Sequence, residues 1–183
     1  MKNFLKIFVV AASFVLLFNT SSFAIVDLAV WGGWVHGGKM DYDILAASIK
    51  GEKFKGPQIG IKGHVNTSIV PFIELGVGLF SQSSDLKVDL TKPDEKVKRN
   101  TSGIDANLIL DFPAIKPYIR GTWAFHDKIH SVQTRWKTFG AGGGVELSLF
   151  FIKLYGEYMY DTSKHKLGDV SAKTFNMGVK LGF

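Results

Sequence analysis

Residues 173–183 read KTFNMGVKLGF. Phe175, Met177, Val179, Leu181 and Phe183 fall on one side of an extended strand. Thr174, Asn176, Gly178, Lys180 and Gly182 fall on the other, because successive side chains in a strand point to opposite faces. A strand this cleanly amphipathic raises the question of which solvent each face meets.

The other end of the chain narrows the answer. MKNFLKIF (1–8) supplies a basic start with Lys2 and Lys6, an apolar core runs from Ile7 to Phe18, and NTSSFA (19–24) closes with the small residues Ser22 and Ala24. This pattern predicts a secretory signal peptide over residues 1–24 and a single mature domain over Ile25–Phe183. The apolar core is shorter than the roughly 20 residues a membrane-spanning helix needs. No later stretch resembles such a helix, so any membrane crossing is made by strands.

Cysteine is absent, so no disulfide holds the exported fold. The formal net charge is +6. Without Lys2 and Lys6, 20 basic side chains stand against 16 acidic ones. That modest excess has no concentrated basic block, and it reads as surface chemistry rather than nucleic-acid binding.

Beyond Ala24, period-two alternation recurs between polar, glycine-containing segments. It predicts strands at Ile25–Val35, Lys55–Asn66, Ile69–Phe80, Ser102–Phe112, Ile115–His126, Arg135–Leu149 and Ile152–Asp161. The terminal strand makes the eighth. Short connections centred on Thr67-Ser68, Pro113-Ala114 and Phe150-Phe151 alternate with long polar ones at Gly37–Phe54, Ser81–Thr101, Asp127–Thr134 and Thr162–Ser171. Short turns at one end and long loops at the other are the layout of an outer-membrane barrel. The expected fold is all-β: an eight-stranded antiparallel up-and-down transmembrane β-barrel. A closed barrel satisfies every backbone group in hydrocarbon, with the apolar face toward lipid and the polar face inside. Trp34, Phe72, Phe112, Trp123, Phe125, Trp136, Tyr158, Tyr160 and Phe183 suit interfacial girdles. A soluble barrel would reverse the faces, and glycine-rich polar faces set against continuous aliphatic ones argue against it.

The pieces GAGGGVELSLFFIKLYGEYMY (140–160) and TFNMGVKLGF (174–183) resemble the small outer-membrane β-barrels of the OmpX/opacity-protein kind, related in architecture to OmpA-like transmembrane domains. The resemblance covers Ile25–Phe183. It implies that Phe183, with Leu181, Val179 and Met177, is the signal read by the barrel-assembly machinery. It also implies that external loops carry surface interaction, adhesion or envelope integrity. The bacterial outer membrane is the expected location.

An eight-stranded barrel has an interior that its own side chains can fill. Lys62, Arg120, Lys153 and Lys180 are expected to face Glu74, Asp105, Asp111, Glu146 and Glu157 there as a paired polar network, since buried charges need partners. Gly140, Gly142 and Gly144 leave room for bulky inward neighbours such as Tyr118, Arg120, Tyr155 and Glu157. The alternative reading is a narrow pore, or an OmpW-like conduit for small molecules. A conduit of that kind expects an apolar lumen, which the inward charges oppose.

Enzymatic chemistry finds little support. Outer-membrane deacylases place a serine two residues after a histidine, and none of the five histidines has one. GAGGG is followed by strand rather than helix, so it is no phosphate cradle. His36, His126, His130 and His165 scatter along the external rim without metal-ligand spacing. No enzyme activity, cofactor or metal is expected. SQSSDLKVDLTKPDEKVKRN (81–100) is the candidate interaction loop, with Asp85, Lys87, Asp89, Lys92, Lys96, Lys98 and Arg99 as its charged residues. Val88 and Leu90 alternate with Lys87 and Asp89, as in strands that project beyond the bilayer. The partners implied are outer-membrane lipid and lipopolysaccharide, the barrel-assembly machinery, and a host or surface ligand. The chain is expected to be a monomer.

Overall fold

Each alternating stretch is a strand in the computed structural model, which describes residues 25–44, 47–88, 96–129, 137–149, 152–165 and 168–182. The strands are β1 (Ile25–Ile44), β2 (Ala47–Val70), β3 (Ile73–Val88), β4 (Lys96–Leu110), β5 (Ile115–Ile129), β6 (Lys137–Leu149), β7 (Ile152–His165) and β8 (Gly168–Gly182). Each pairs antiparallel with its neighbours in chain order, and β8 closes on β1 with Leu181 opposite Leu28 and Val179 opposite Val30. The eight-stranded up-and-down barrel read from the sequence is the fold. The segment read as a signal peptide, the terminal Phe183, Trp136 and the Phe150-Phe151 turn lie outside the described residues.

The two faces are chemically opposite. Ile59, Ile119 and Met177 are each more than 60% exposed on the outer wall, within a belt that also carries Val30, Val77, Leu147 and Val179. Water would penalise so much contiguous apolar surface, whereas hydrocarbon does not. Inside, Asp27, Glu157 and Lys180 are almost completely buried, which reverses the pattern of a soluble barrel.

The strands run further than expected. Crossing a bilayer takes about 9–11 tilted residues, and β2 has 24. Most of Gly37–Phe54 is strand, because β1 continues to Ile44 and β2 begins at Ala47. Likewise β3 and β4 reach Val88 and Lys96, and β7 and β8 reach His165 and Gly168. Polar side chains do not end a strand in water; the backbone ladder continues while its register holds. Where Thr67-Ser68 was expected to turn, both residues are paired, and the turn is Pro71-Phe72. Proline fixes the first turn position, and Phe72 takes φ 70° at the second, a left-handed conformation usually left to glycine.

Register shifts break the alternation twice on functional ground. One lies in β1 between Val35 and Gly38, so Val35 and Met40 both point inward. The other lies where Ser102 and Gly103 of β4 meet His126 and Ala124 of β5. Extra residues at such bulges change which face the following side chains occupy.

Candidate functional site

The lumen is filled in layers. In the middle, Glu157 of β7 gathers four donors. Lys62 Nζ donates at 3.2 Å, Arg120 Nη1 at 2.6 Å, the Tyr118 hydroxyl at 2.9 Å and Asn176 Nδ2 at 3.1 Å. Arg120 Nε also donates to Asp105 Oδ2 at 2.7 Å, so one guanidinium ties β4 to β7 across the barrel. Charge-assisted hydrogen bonds of this kind are about twice as strong as neutral ones. Trp31, Phe80 and Tyr155 pack around the cations, with Lys62 Nζ 4.2 Å from the Tyr155 ring centre and the Arg120 guanidinium 5.5 Å from that of Phe80. Trp31 on β1 fits here because a glycine lies beside it; a Cβ on Gly60 would strike the Trp31 ring.

Toward the turn end, Asp27 is fully buried and accepts from Lys153 Nζ at 3.2 Å and from Asn66 Nδ2 at 2.5 Å. Lys180 lies 3.6 Å from Asp27 and bonds Glu146. Asp27 was missing from the expected network, though its alternation with Val26 and Leu28 marked it as inward.

Of the nine expected inward charges, Lys62, Arg120, Asp105 and Glu157 form the middle layer, and Lys153, Lys180 and Glu146 join Asp27 below it. Glu74 is buried as expected, at the turn end, whereas Asp111 is not inward. β4 stops at Leu110, so Asp111 sits in the connection, about a third exposed, with its amide donating to Phe72 O at 2.8 Å. It pairs with Lys116, which lies 3.6 Å from Glu74. That trio caps the turn end rather than crossing the lumen.

The upper layer was not anticipated. Arg99, expected in the external loop, is buried and grips Asp127 of β5 with Nε at 2.9 Å and Nη2 at 2.6 Å. Ser163, Thr101 and Thr138 complete the shell around the same carboxylate. Arg99 obeys the alternation that places Ile104 outward, so the signal was present. Asp127 does not: the bulge after Ala124 turns it inward, and no sequence period reveals that. Against this shell, Val35, Met40, Phe54, Leu86, Ile129 and Val170 form an apolar cluster, with Ile129 opposite Arg99 and Val170 opposite Ser163 in register. The upper lumen therefore combines one buried charge pair with an apolar cluster, whereas the middle and lower layers are built on charges.

Between the layers lies a cavity of about 10 Å³, lined by Gln58, Met159, Asp161, Thr174 and Asn176 among others. That is room for about one water molecule.

The candidate loop residues divide. Asp85, Lys87 and Lys98 are exposed on the outer face of β3 and β4. Lys96 opens β4 opposite Lys87. Asp89 and Lys92 lie outside the described residues. Met177, Val179 and Leu181 of the expected assembly signal face outward on β8.

Chemically the interior offers one pair familiar from catalysis. His64 Nε2 lies 2.8 Å from Asp105 Oδ2, half of a nucleophilic triad. Among the described residues no hydroxyl or thiol hydrogen-bonds His64; its other contact at Nε2 is the Asn107 amide at 3.1 Å. Among the same residues, no cluster of three or more His, Cys, Asp or Glu side chains could hold a metal ion.

No protein-family model and no curated protein matches the chain. Among solved structures, neisserial surface protein A is similar at 14% identity and a TM-score of 0.57, over 87% of this chain and 97% of that one. OprG of Pseudomonas aeruginosa (11% identity, TM-score 0.48, 87% and 96% covered) and the attachment invasion locus protein Ail of Yersinia pestis (10%, 0.46, 87% and 99%) overlay less well. With its belt, its filled lumen and its closed order of strands, the chain has the fold of the small eight-stranded outer-membrane β-barrels.

Proposed function

We propose that this barrel is closed to bulk solute and works through the end that projects from the membrane, in surface interaction or envelope integrity. The observation that carries this reading is the filled lumen. Glu157 with Lys62 and Arg120 blocks the middle, and Arg99–Asp127 beside the Phe54–Leu86 cluster blocks the upper end. A conduction path would need both layers to part, against several charge-assisted bonds at once. The strands meanwhile continue well past the apolar belt, giving the external end a rigid frame on which loops can present binding groups.

The test is single-channel recording of the refolded mature protein in a planar bilayer. A silent wild type is expected; stable discrete openings would move transport to the front. The alternative, an OmpW-like conduit for small apolar molecules, draws support from the apolar upper cluster alone. It would require an apolar solute to reach that cluster in the folded barrel. A hydrophobic dye that gains fluorescence with wild-type barrel but not with a Phe54→Arg variant would favour the conduit.

A further inference from the structure

Just beyond the apolar belt, the outer wall changes from aliphatic and aromatic residues to lysine. On β2 the outward positions run Ile61, Ile59, Pro57, Lys55, Lys53, and on β1 Trp34 and His36 precede Lys39. The strand register sets these lysines against one another: Lys39 opposite Lys53, and Lys55 opposite Lys87. All four side chains are exposed, and none makes an ion pair among the described residues. Like charges directly across a strand pair destabilise a sheet, so two such pairs on three adjacent strands call for a compensating anion. Asp85, on the same face of β3, is opposite Lys98, and Asp41, on the same face of β1, is opposite Asp169, so among the described residues no carboxylate stands directly across from these four lysines. Lys137 opposite Lys164 repeats the arrangement across the barrel, there with Asp169 opposite Lys164 on the other side.

We propose that Lys39, Lys53, Lys55 and Lys87 form a binding site for the phosphate groups of a phosphorylated glycolipid in the outer leaflet. Directly opposite side chains have Cβ atoms about 4.5–5.5 Å apart. One phosphate can therefore accept hydrogen bonds from both ammonium groups of a pair. The source is a lipid rather than a dissolved anion because the lysines continue the lipid-facing wall without a break. Acyl chains on Ile59 and Ile61 bring the headgroup level with Lys55 and Lys53. This inference rests on the reading of the belt as membrane-embedded.

The mature full-length protein is refolded into phosphatidylcholine vesicles containing diphosphoryl lipid A, or the same lipid A with its phosphates removed. It is then extracted in mild detergent, and the lipid retained per barrel is read by native mass spectrometry. The wild type should retain the diphosphoryl form about tenfold or more over the dephosphorylated one. A Lys39→Gln/Lys53→Gln/Lys55→Gln/Lys87→Gln variant should lose that preference, and the four Lys→Arg changes should keep it. Equal retention of the two lipids by the wild type overturns the proposal without any variant, as does an unchanged preference in the glutamine variant. Displacement of lipid A by equimolar inorganic phosphate, or capture of lipid-free barrel by a soluble sulfated polysaccharide that the glutamine variant loses, would assign the site to a soluble anion. Failure of the wild type to enter vesicles at all would instead sink the reading of the belt.

Discussion

Arg99 of β4 holds Asp127 of β5 by two parallel hydrogen bonds, 2.9 Å and 2.6 Å, with both side chains buried inside the upper barrel. Breaking one side of a buried pair leaves the other charge uncompensated, at a cost of about 3–5 kcal/mol. We expect Arg99→Ala and Asp127→Ala each to lose that much unfolding free energy in urea titrations. An Arg99→Met/Asp127→Leu variant should recover most of the loss, since an apolar pair of similar volume often matches a buried ion pair. Full stability in either single variant would mean that the pair does not hold the upper layer closed.

Glu157 should be the most sensitive acid of the interior. Glu157→Ala strands Lys62, leaves Arg120 with Asp105 alone, and removes the acceptor for Tyr118 and Asn176. A loss of about 3–5 kcal/mol is expected in unfolding titrations. Asp111→Ala, at the partly exposed turn end, should cost less than about 1 kcal/mol. Equal losses would show that depth in the barrel does not set the cost.

The inward glycines of β6 make a steric claim. A Cβ on Gly144 would lie 2.7 Å from the Tyr118 hydroxyl oxygen and would strike the Gly156 carbonyl. Gly144→Ala should therefore destabilise by about 1–3 kcal/mol. On the outer wall, a Cβ on Gly121 meets nothing within 4 Å, and Gly121→Ala should stay within about 0.5 kcal/mol of the wild type. The same unfolding titration reads both.

Conduction should need both blocks removed. Phe54→Ala/Leu86→Ala thins only the upper layer and should stay silent in a planar bilayer. Adding Arg99→Ala and Asp127→Ala above, and Lys62→Ala, Arg120→Ala and Glu157→Ala in the middle, removes both blocks and should produce openings. Openings in the first variant would place the seal in the apolar cluster alone.

Surface function can be tested without disturbing the lumen. Replacing residues 89–95 with a short Gly/Ser turn should preserve the mobility difference between boiled and unboiled protein, while abolishing any surface binding that this connection carries. Replacing all of Ser84–Arg99 should fail to fold, because Ser84, Leu86 and Arg99 are buried inside the barrel. Normal folding after the larger excision would contradict the upper layer described above.

Much of this molecule is legible in one dimension. Alternation along Ile73–Leu79, Ile104–Leu110 and Phe175–Leu181 marks the lipid face, because strand geometry sends neighbouring residues to opposite sides whatever surrounds them. The same rule places Lys62, Glu157, Lys153 and Lys180 inside, and the uneven connections order the strands into a closed barrel.

Partnership between residues distant in sequence is not written there. That Lys62 meets Glu157, that Lys180 meets both Asp27 and Glu146, and that Lys39 stands opposite Lys53 all follow from register and closure. Asp127 turns inward only because a bulge shifts the phase of β5, and Phe54, Leu86 and Val170 meet only because curvature brings separate strands to one point. The sequence by itself determined which solvent a side chain faces wherever a strand runs without a bulge, a local consequence of the two-residue repeat. The tertiary structure alone decided which charges and which apolar groups touch, because those distances exist only once the sheet has closed.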